Sequence, residues 1–287
     1  MTNEQLQATL SRQRLIVNIS SGIIAVIFIL AFLLIICDMA GLGLILILGD
    51  FIVFGSISIK ADSKIKQILS DNIISVVVKE AFGGSAEYEQ DDHITPESNM
   101  FSGTYNKVKG QNHIKAVDNG LRIELSDLHL TEVYSDDHRS SSQIFNGQWL
   151  VCDFGKELSG EVFLYPYSEK GSSGLGRNVM MDNKAFNDRF CVKAKNPEEA
   201  FSILTPYMME CILKMADKAN GPVYMAFLRN GKIHIAVNSN RHILELGKTK
   251  ADYNTLHQKF LGELRWFIDM IDALRLEDAL FKKETNV

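Results

Sequence analysis

The sequence predicts an α+β protein: an N-terminal transmembrane helical hairpin followed by a mainly antiparallel sheet domain with packed helices. Three observations predict it. Two apolar runs, residues 15–36 and 40–59, stand back to back with only Cys37, Asp38 and Met39 between them. Beyond residue 100 the pattern changes to short alternating segments separated by turn residues, the signature of antiparallel strands. Amphipathic helical stretches come between and after those strands, without the regular βα alternation of a parallel doubly wound sheet.

Each opening run is about 20 residues long, and at 1.5 Å per residue each is long enough to cross a bilayer. A cleaved leader is a poor fit, because a signal core is only about 7–15 residues and here a second run follows directly. Arg12 and Arg14 precede the first run, Lys60, Lys64 and Lys66 follow the second, and the connection carries no basic residue. The positive-inside rule then places both ends in the cytoplasm. The expected division is a cytoplasmic tail over 1–14, the hairpin over 15–59, a juxtamembrane helix over 60–84 and a cytoplasmic domain over 85–287. The chain is expected in a bacterial inner membrane, facing the cytoplasm.

Asp50 falls near the middle of the second run, where a charge costs about 2.5–3.5 kcal/mol on insertion scales. Counted back from the turn, it lies level with Phe28, Ile29, Leu30, Ala31 and Phe32, none of which offers a side-chain hydrogen bond. Three readings follow: a neutral carboxyl, a contact with another copy or a partner protein, or a break in the helix at Gly49-Asp50. Asp50 is therefore the candidate intramembrane contact, and a proton path through it would require an oligomer.

After the hairpin, Ile65, Ile68, Leu69, Ile73, Val76 and Val77 recur at helical spacing up to the Gly83-Gly84 stop. Residues 85–99 read as a polar connecting loop. Asp118-Asn119-Gly120 marks a hairpin between 114–117 and 121–125; 128–134 alternates again. Residues 148–154 and 161–165 read as a strand pair, and 189–194 as a further strand. Asn196-Pro197-Glu198-Glu199 opens a helix in the manner of a capping box. Thr205-Pro206 then either kinks that helix or caps a second one. Asn230-Gly231 between 223–228 and 232–237 is the strongest hairpin signal, read as a type I′ turn. A final helix over 252–282 carries Leu256, Phe260, Leu264, Phe267, Ile271 and Leu274 on one face.

The stretch from Phe190 to Pro206 follows the pattern F-x-V-x-A-x-x-P-x-x-A-x-x-I-L-T-P, through Phe190, Val192, Ala194, Pro197, Ala200, Leu204, Thr205 and Pro206. Weaker matches are Phe101-Ser102-Gly103, Phe145-Asn146-Gly147 and Gly160. In this the chain resembles an uncharacterised family of bacterial two-span membrane proteins known only as a domain of unknown function. The resemblance implies an inner-membrane protein with a cytoplasmic α+β domain and brings no activity. It also implies a possible partner, a LemA-type helical membrane protein. In physical terms the motif residues read as packing positions on a strand and the helix after it.

The net charge of −5 disfavours electrostatic nucleic-acid binding. Cys37, Cys152, Cys191 and Cys211 form no CxxC pair and read as free thiols. Gly171-Ser172-Ser173-Gly174-Leu175-Gly176-Arg177 resembles a phosphate loop without its GK[ST] ending. Asp91-Asp92-His93 and Asp136-Asp137-His138 repeat a triplet of metal-ligand types in polar loops. His234, His242 and His257 stand in no nucleophile-activating spacing. Trp149, Tyr165, Tyr167 and Trp266 lack the basic interleaving of a stacking platform. No catalytic, cofactor or metal site is expected. The leading expectation is a membrane-anchored, non-enzymatic binding or regulatory module, contacting the bilayer and a protein partner or its own copies. The alternative is a membrane-tethered enzyme, such as a hydrolase, with a site assembled from distant residues.

Overall fold

The computed structural model describes residues 3–37, 39–97, 99–101, 105–118, 120–134, 140–153, 157–169, 176–245 and 253–275. It divides into two compact units, Met1–Val76 with Thr249–His257, and Val77–Lys248 with Gln258–Val287.

The first unit is built on α1 (Asn3–Ile36) and α2 (Ala40–Leu69), which pack against each other. One close approach is visible at Gly43, where an added Cβ would lie 2.8 Å from the Ala31 carbonyl oxygen and from Ile35. The α1 segment Ser11–Ile36 is long and apolar enough to span a membrane, and most of it is uncovered: Ile29 is 62% exposed and Ile36 66%. The backbone of α2 runs through Gly49-Asp50 without a break; the side chain of Asp50 lies outside the described residues. Helix continues past residue 60 as expected, but a π turn, Ser70–Ile74, separates α2 from α3 (Ser75–Phe82).

The second unit holds a single nine-stranded antiparallel sheet: β1 (Glu87–Glu89), β2 (Lys107–Asp118), β3 (Leu121–Val133), β4 (Ser141–Asp153), β5 (Val162–Pro166), β6 (Arg177–Val179), β7 (Phe190–Ala194), β8 (Val223–Phe227) and β9 (Lys232–Val237). The spatial order is β1-β2-β3-β4-β9-β8-β5-β7-β6. Its helices are α4 (Lys184–Arg189), α5 (Pro197–Ile203), α6 (Pro206–Lys218) and α7 (Tyr253–Arg275), the last of which begins in the other unit. The mixed α+β class is therefore as the sequence predicts.

Several local expectations are refined. The segment 85–99 contains a strand, β1, paired to β2. The short strands read at 114–117 and 121–125 are parts of 12- and 13-residue strands. β4 and β5 are not partners: β4 pairs with β3 and β9, and β5 with β7 and β8. Asn196 stands at the N-cap of α5 but its side chain makes no capping bond; Pro197 at the first turn starts that helix. Thr205 resolves the two readings of Thr205-Pro206, because its hydroxyl accepts from the Met208 amide at 3.1 Å and caps α6. At Asn230-Gly231 only Gly231 has positive φ, +82°. The Gly231 amide donates to Leu228 O at 2.9 Å, so the hairpin closes by a tight turn plus a left-handed glycine, not by a type I′ turn. Residues 276–282 of the expected last helix lie outside the described residues.

The register gives the sheet two distinct faces. On one face Glu124, Val151, His234 and Ala226 stand side by side on β3, β4, β9 and β8, with Ser126, Trp149, Ala236 and Tyr224 in the next row. Trp149, Tyr224, Tyr165 and Phe145 make an aromatic core here, closed over by Ile94, Met100 and Phe101 from the β1–β2 connection. On the opposite face of the same strands lie Leu125, Asp127, Leu150, Gln148, Ile235 and Val237.

Candidate functional site

Where the aromatic core ends, the same sheet face opens into a cleft of about 230 Å³. Its floor is Glu124 on β3, Val151 on β4 and His234 and Lys232 on β9; its roof is the chain from His93 to Glu97, and His113 closes one end. The roof lies this close because β2 carries Gly110: an added Cβ there would sit 2.4 Å from His93 Cβ.

His113 is 4% exposed and held between two carboxylates, Nδ1 2.7 Å from Asp92 and Nε2 3.0 Å from Glu124. Both nitrogens can serve those acceptors only as the doubly protonated imidazolium. Burial alone would lower its pKa, but the bonds to Glu124 and Asp92 outweigh burial and the net shift is upward. Reciprocally, the bond from His113 lowers Asp92, helped by the His93 backbone and by Lys115 at 3.2 Å. Glu124 is lowered as well, again chiefly by the bond from His113.

His234 is 1% exposed and of opposite character. Trp149 Nε1–H, which can only donate, points at His234 Nδ1 at 3.1 Å. Nδ1 therefore accepts, and the neutral ring carries its proton on Nε2. That Nε2–H is enclosed and has no hydrogen-bond partner among the described residues. Desolvation by burial pushes the imidazole pKa down to about 4, so the ring is neutral at physiological pH. Two residues along the strand, Lys232 Nζ bonds Glu97 at 2.5 Å.

The cleft can thus offer hydrogen-bond donors from His234 and Lys232 beside two apolar walls, Val151 and Ile94. It is poorly suited to a metal ion: both nitrogens of His113 are engaged, and His234 presents a proton and no lone pair. Among the described residues no group of three or more His, Cys, Asp and Glu side chains is arranged to hold a metal.

Of the residues singled out from sequence, His93 of the first triplet lines this cleft, and Asp92 bonds the cleft residue His113 and also Lys115. The second triplet, residues 136–138, and positions 171–175 of the glycine-rich loop lie outside the described residues. His234 is in the cleft. His242 lies 3.6 Å from Asp127 on the opposite sheet face, and His257 stacks on Tyr253 in the other unit. Trp149 and Tyr165 are core residues, Tyr167 is exposed, and Trp266 Nε1 donates to Met215 O at 3.1 Å. The motif residues Phe190, Val192 and Ala194 are buried on β7; Ala200 and Leu204 are buried around α5. They do not line the cleft. Sequence reasoning missed His113, Glu124, Lys232 and Glu97. The available signal was a histidine within a strand, at 113 on β2 and 234 on β9, and His129 on β3 shares that signal without lining the cleft.

With this geometry in hand, comparisons place part of the chain. Residues 143–276 match a family described as a protein of unknown function (DUF3137). The matched region runs from within β4 through α7 and supports kinship with a family of unknown function. No curated protein matches the chain. A solved structure, that of the mycobacterial trehalose monomycolate transport factor A, TtfA, is 12% identical with a TM-score of 0.37, covering 70% of this chain and 95% of that one. A likeness at that level assigns nothing further.

Proposed function

We propose that the protein is a membrane-anchored, non-enzymatic binding module: α1 and α2 form a two-span anchor with both ends in the cytoplasm, and the sheet domain recognises its ligand or partner there. The observation that carries this reading is the uncovered apolar surface of α1, where Val26, Phe28, Ile29 and Phe32 are each more than half exposed. Such a surface is stable against lipid tails and not against water. Arg12 and Arg14 near the start of α1 and the lysines after residue 59, with no basic residue in the connection, support the orientation. Binding is favoured over catalysis because the described residues lining the cleft include no nucleophile hydrogen-bonded to a base. Asp50, on this reading, meets another copy or a partner membrane protein, a LemA-type protein among the candidates. The family motif, on the same reading, packs the cytoplasmic domain together.

The test is fractionation and capture of the full-length chain. Membranes washed at alkaline pH retain the protein and release it only to detergent, and protease added outside intact cells leaves the C-terminal domain whole. Capture from detergent extracts recovers a stoichiometric membrane partner or an oligomer, and Asp50→Leu weakens that association. Recovery of the chain in the supernatant without detergent, or of a monomer alone, overturns the proposal.

A further inference from the structure

Resting on that binding reading, we infer that the cleft over β9 is a site for a small monocarboxylate with a short apolar stem, held between the His234 Nε2–H and the Lys232 ammonium. The first ground is the orphaned donor. A buried polar hydrogen without an acceptor costs about 1–3 kcal/mol, and native folds rarely leave one without a purpose. At His234 the vacancy is for an acceptor only. Trp149 fixes Nδ1 as the acceptor on one side of the ring, so the other ring nitrogen of this cleft-lining residue carries a proton that no described residue accepts. That N–H itself gives a metal ion or a cationic ligand nothing to bind.

The second ground is the neighbouring lysine. Lys232 lies on the same strand face two residues away, and Glu97 from the roof already sits on its ammonium group. Glu97 is an internal stand-in: a carboxylate with a short aliphatic stem, reaching the cleft from the loop, with its side chain 56% exposed and free to leave. A ligand carboxylate takes the same place on Lys232 and reaches the His234 proton as well. The third ground is size and sign. At about 230 Å³ the cleft falls below the range usual for drug-sized ligands and suits a molecule of a few carbons, whose stem lies against Val151 and Ile94. Glu124 and Glu97 remain nearby, so a dianion such as phosphate meets more repulsion than a monoanion does.

Trp149 and Trp266 are the chain's two tryptophans, so the indole N–H resonances of the full-length chain in detergent micelles give a two-signal readout. Trp149→Phe identifies which signal reports on His234. Titration with sodium propionate shifts the Trp149 signal saturably, whereas propylamine and inorganic phosphate do not. His234→Phe and Lys232→Met each weaken the propionate effect by about tenfold or more, the worth of a hydrogen bond involving a charged group. Glu97→Gln, which removes the internal competitor, strengthens it by about two- to fivefold, the worth of an exposed ion pair. Glu97→Gln also serves where a core substitution unfolds the domain. No propionate shift in the unsubstituted chain means that His234 holds an ordered water only and overturns the assignment. Equal response to phosphate, or a propionate effect untouched by Lys232→Met, overturns it too. None of these outcomes alters membrane retention, which is measured separately and decides the binding-module reading by itself.

Discussion

Two buried polar centres lie back to back on the same central strands, and they are built to opposite ends. On one face Asp127, 1% exposed, is enclosed by donors: Asn112 Nδ2 at 2.7 Å, Gln148 Nε2 at 3.1 Å and the Ile243 amide at 3.2 Å from both carboxylate oxygens. The donors are themselves tied down. Asn112 Oδ1 accepts from Tyr88, Asn112 Nδ2 also reaches Ile243 O, and Gln148 Nε2 reaches Arg241 O. Asn112 adopts φ +60° at the irregularity in β2 to enter this network. On the other face His234 has, among the described residues, one hydrogen-bond partner and one unanswered proton. A closed network rigidifies and specifies a fold; on the proposal above, the open one is completed by the incoming carboxylate. The contrast separates the structural centre from the binding centre without reference to any motif.

The largest expected effect is at the closed centre. Asp127→Ala strands donors on Asn112, Gln148 and Ile243 in a water-free setting, and at about 1–3 kcal/mol per unsatisfied group the domain loses about 3 kcal/mol or more. Denaturant unfolding measures the loss, and the propionate response of the remaining folded protein is unaffected. A loss under 1 kcal/mol would erase the distinction between the centres.

The open centre responds to pH instead. His234 has its pKa lowered from 6.5 to about 4, so between those values the unfolded chain binds a proton that the folded chain refuses. Stability therefore rises with pH across that window, by up to about 3 kcal/mol at 1.36 kcal/mol per pKa unit. His113 runs the other way. Its raised pKa gives a contribution fully present below 6.5 and lost as pH climbs through the folded value, while lowered Glu124 contributes above about 4.5 and loses that on acidification. Thermal unfolding followed from pH 4 to 9 should show a maximum near 6.5. His234→Phe flattens the rising limb between about pH 4.5 and 6.5, leaving the carboxylate part below it, and His113→Gln removes the falling limb. A profile unchanged by either substitution would contradict the protonation states assigned here.

Much of the architecture was legible because local chemistry decides it. Thr205 and Pro206 can start a helix wherever they fall, and Gly231 can turn a hairpin without help from the rest of the chain. Strand partnership is not local. The alternation in 161–165 says that a strand exists, and nothing in it names 190–194 and 223–227 as its neighbours in place of 148–154. The cleft was invisible for the same reason. Trp149 and His234 are 85 positions apart, and only the β4–β9 register makes one the hydrogen-bond donor to the other. In sequence His234 is one more residue in an apolar strand, and Glu97 and Lys232 are ordinary surface charges. The apolar run in α1 could be read directly because length and hydropathy suffice for it.

The smallest expected effect is the most discriminating. Lys232 and Glu97 form a partly exposed pair, with side chains 28% and 56% exposed, and such pairs contribute about 0.2–1 kcal/mol. Glu97→Gln should therefore change unfolding stability by less than about 1 kcal/mol, and that small loss should shrink further in high salt. If the pair served only to hold the 93–97 roof against the sheet, Lys232→Met would cost the same and the double variant no more than either single one. If Lys232 is instead the anchor for an incoming carboxylate, the two substitutions agree in stability and part company in binding, Glu97→Gln tightening propionate where Lys232→Met weakens it. A double-mutant cycle read in both stability and propionate affinity separates the two roles, because a structural strut cannot produce opposite signs from its two ends.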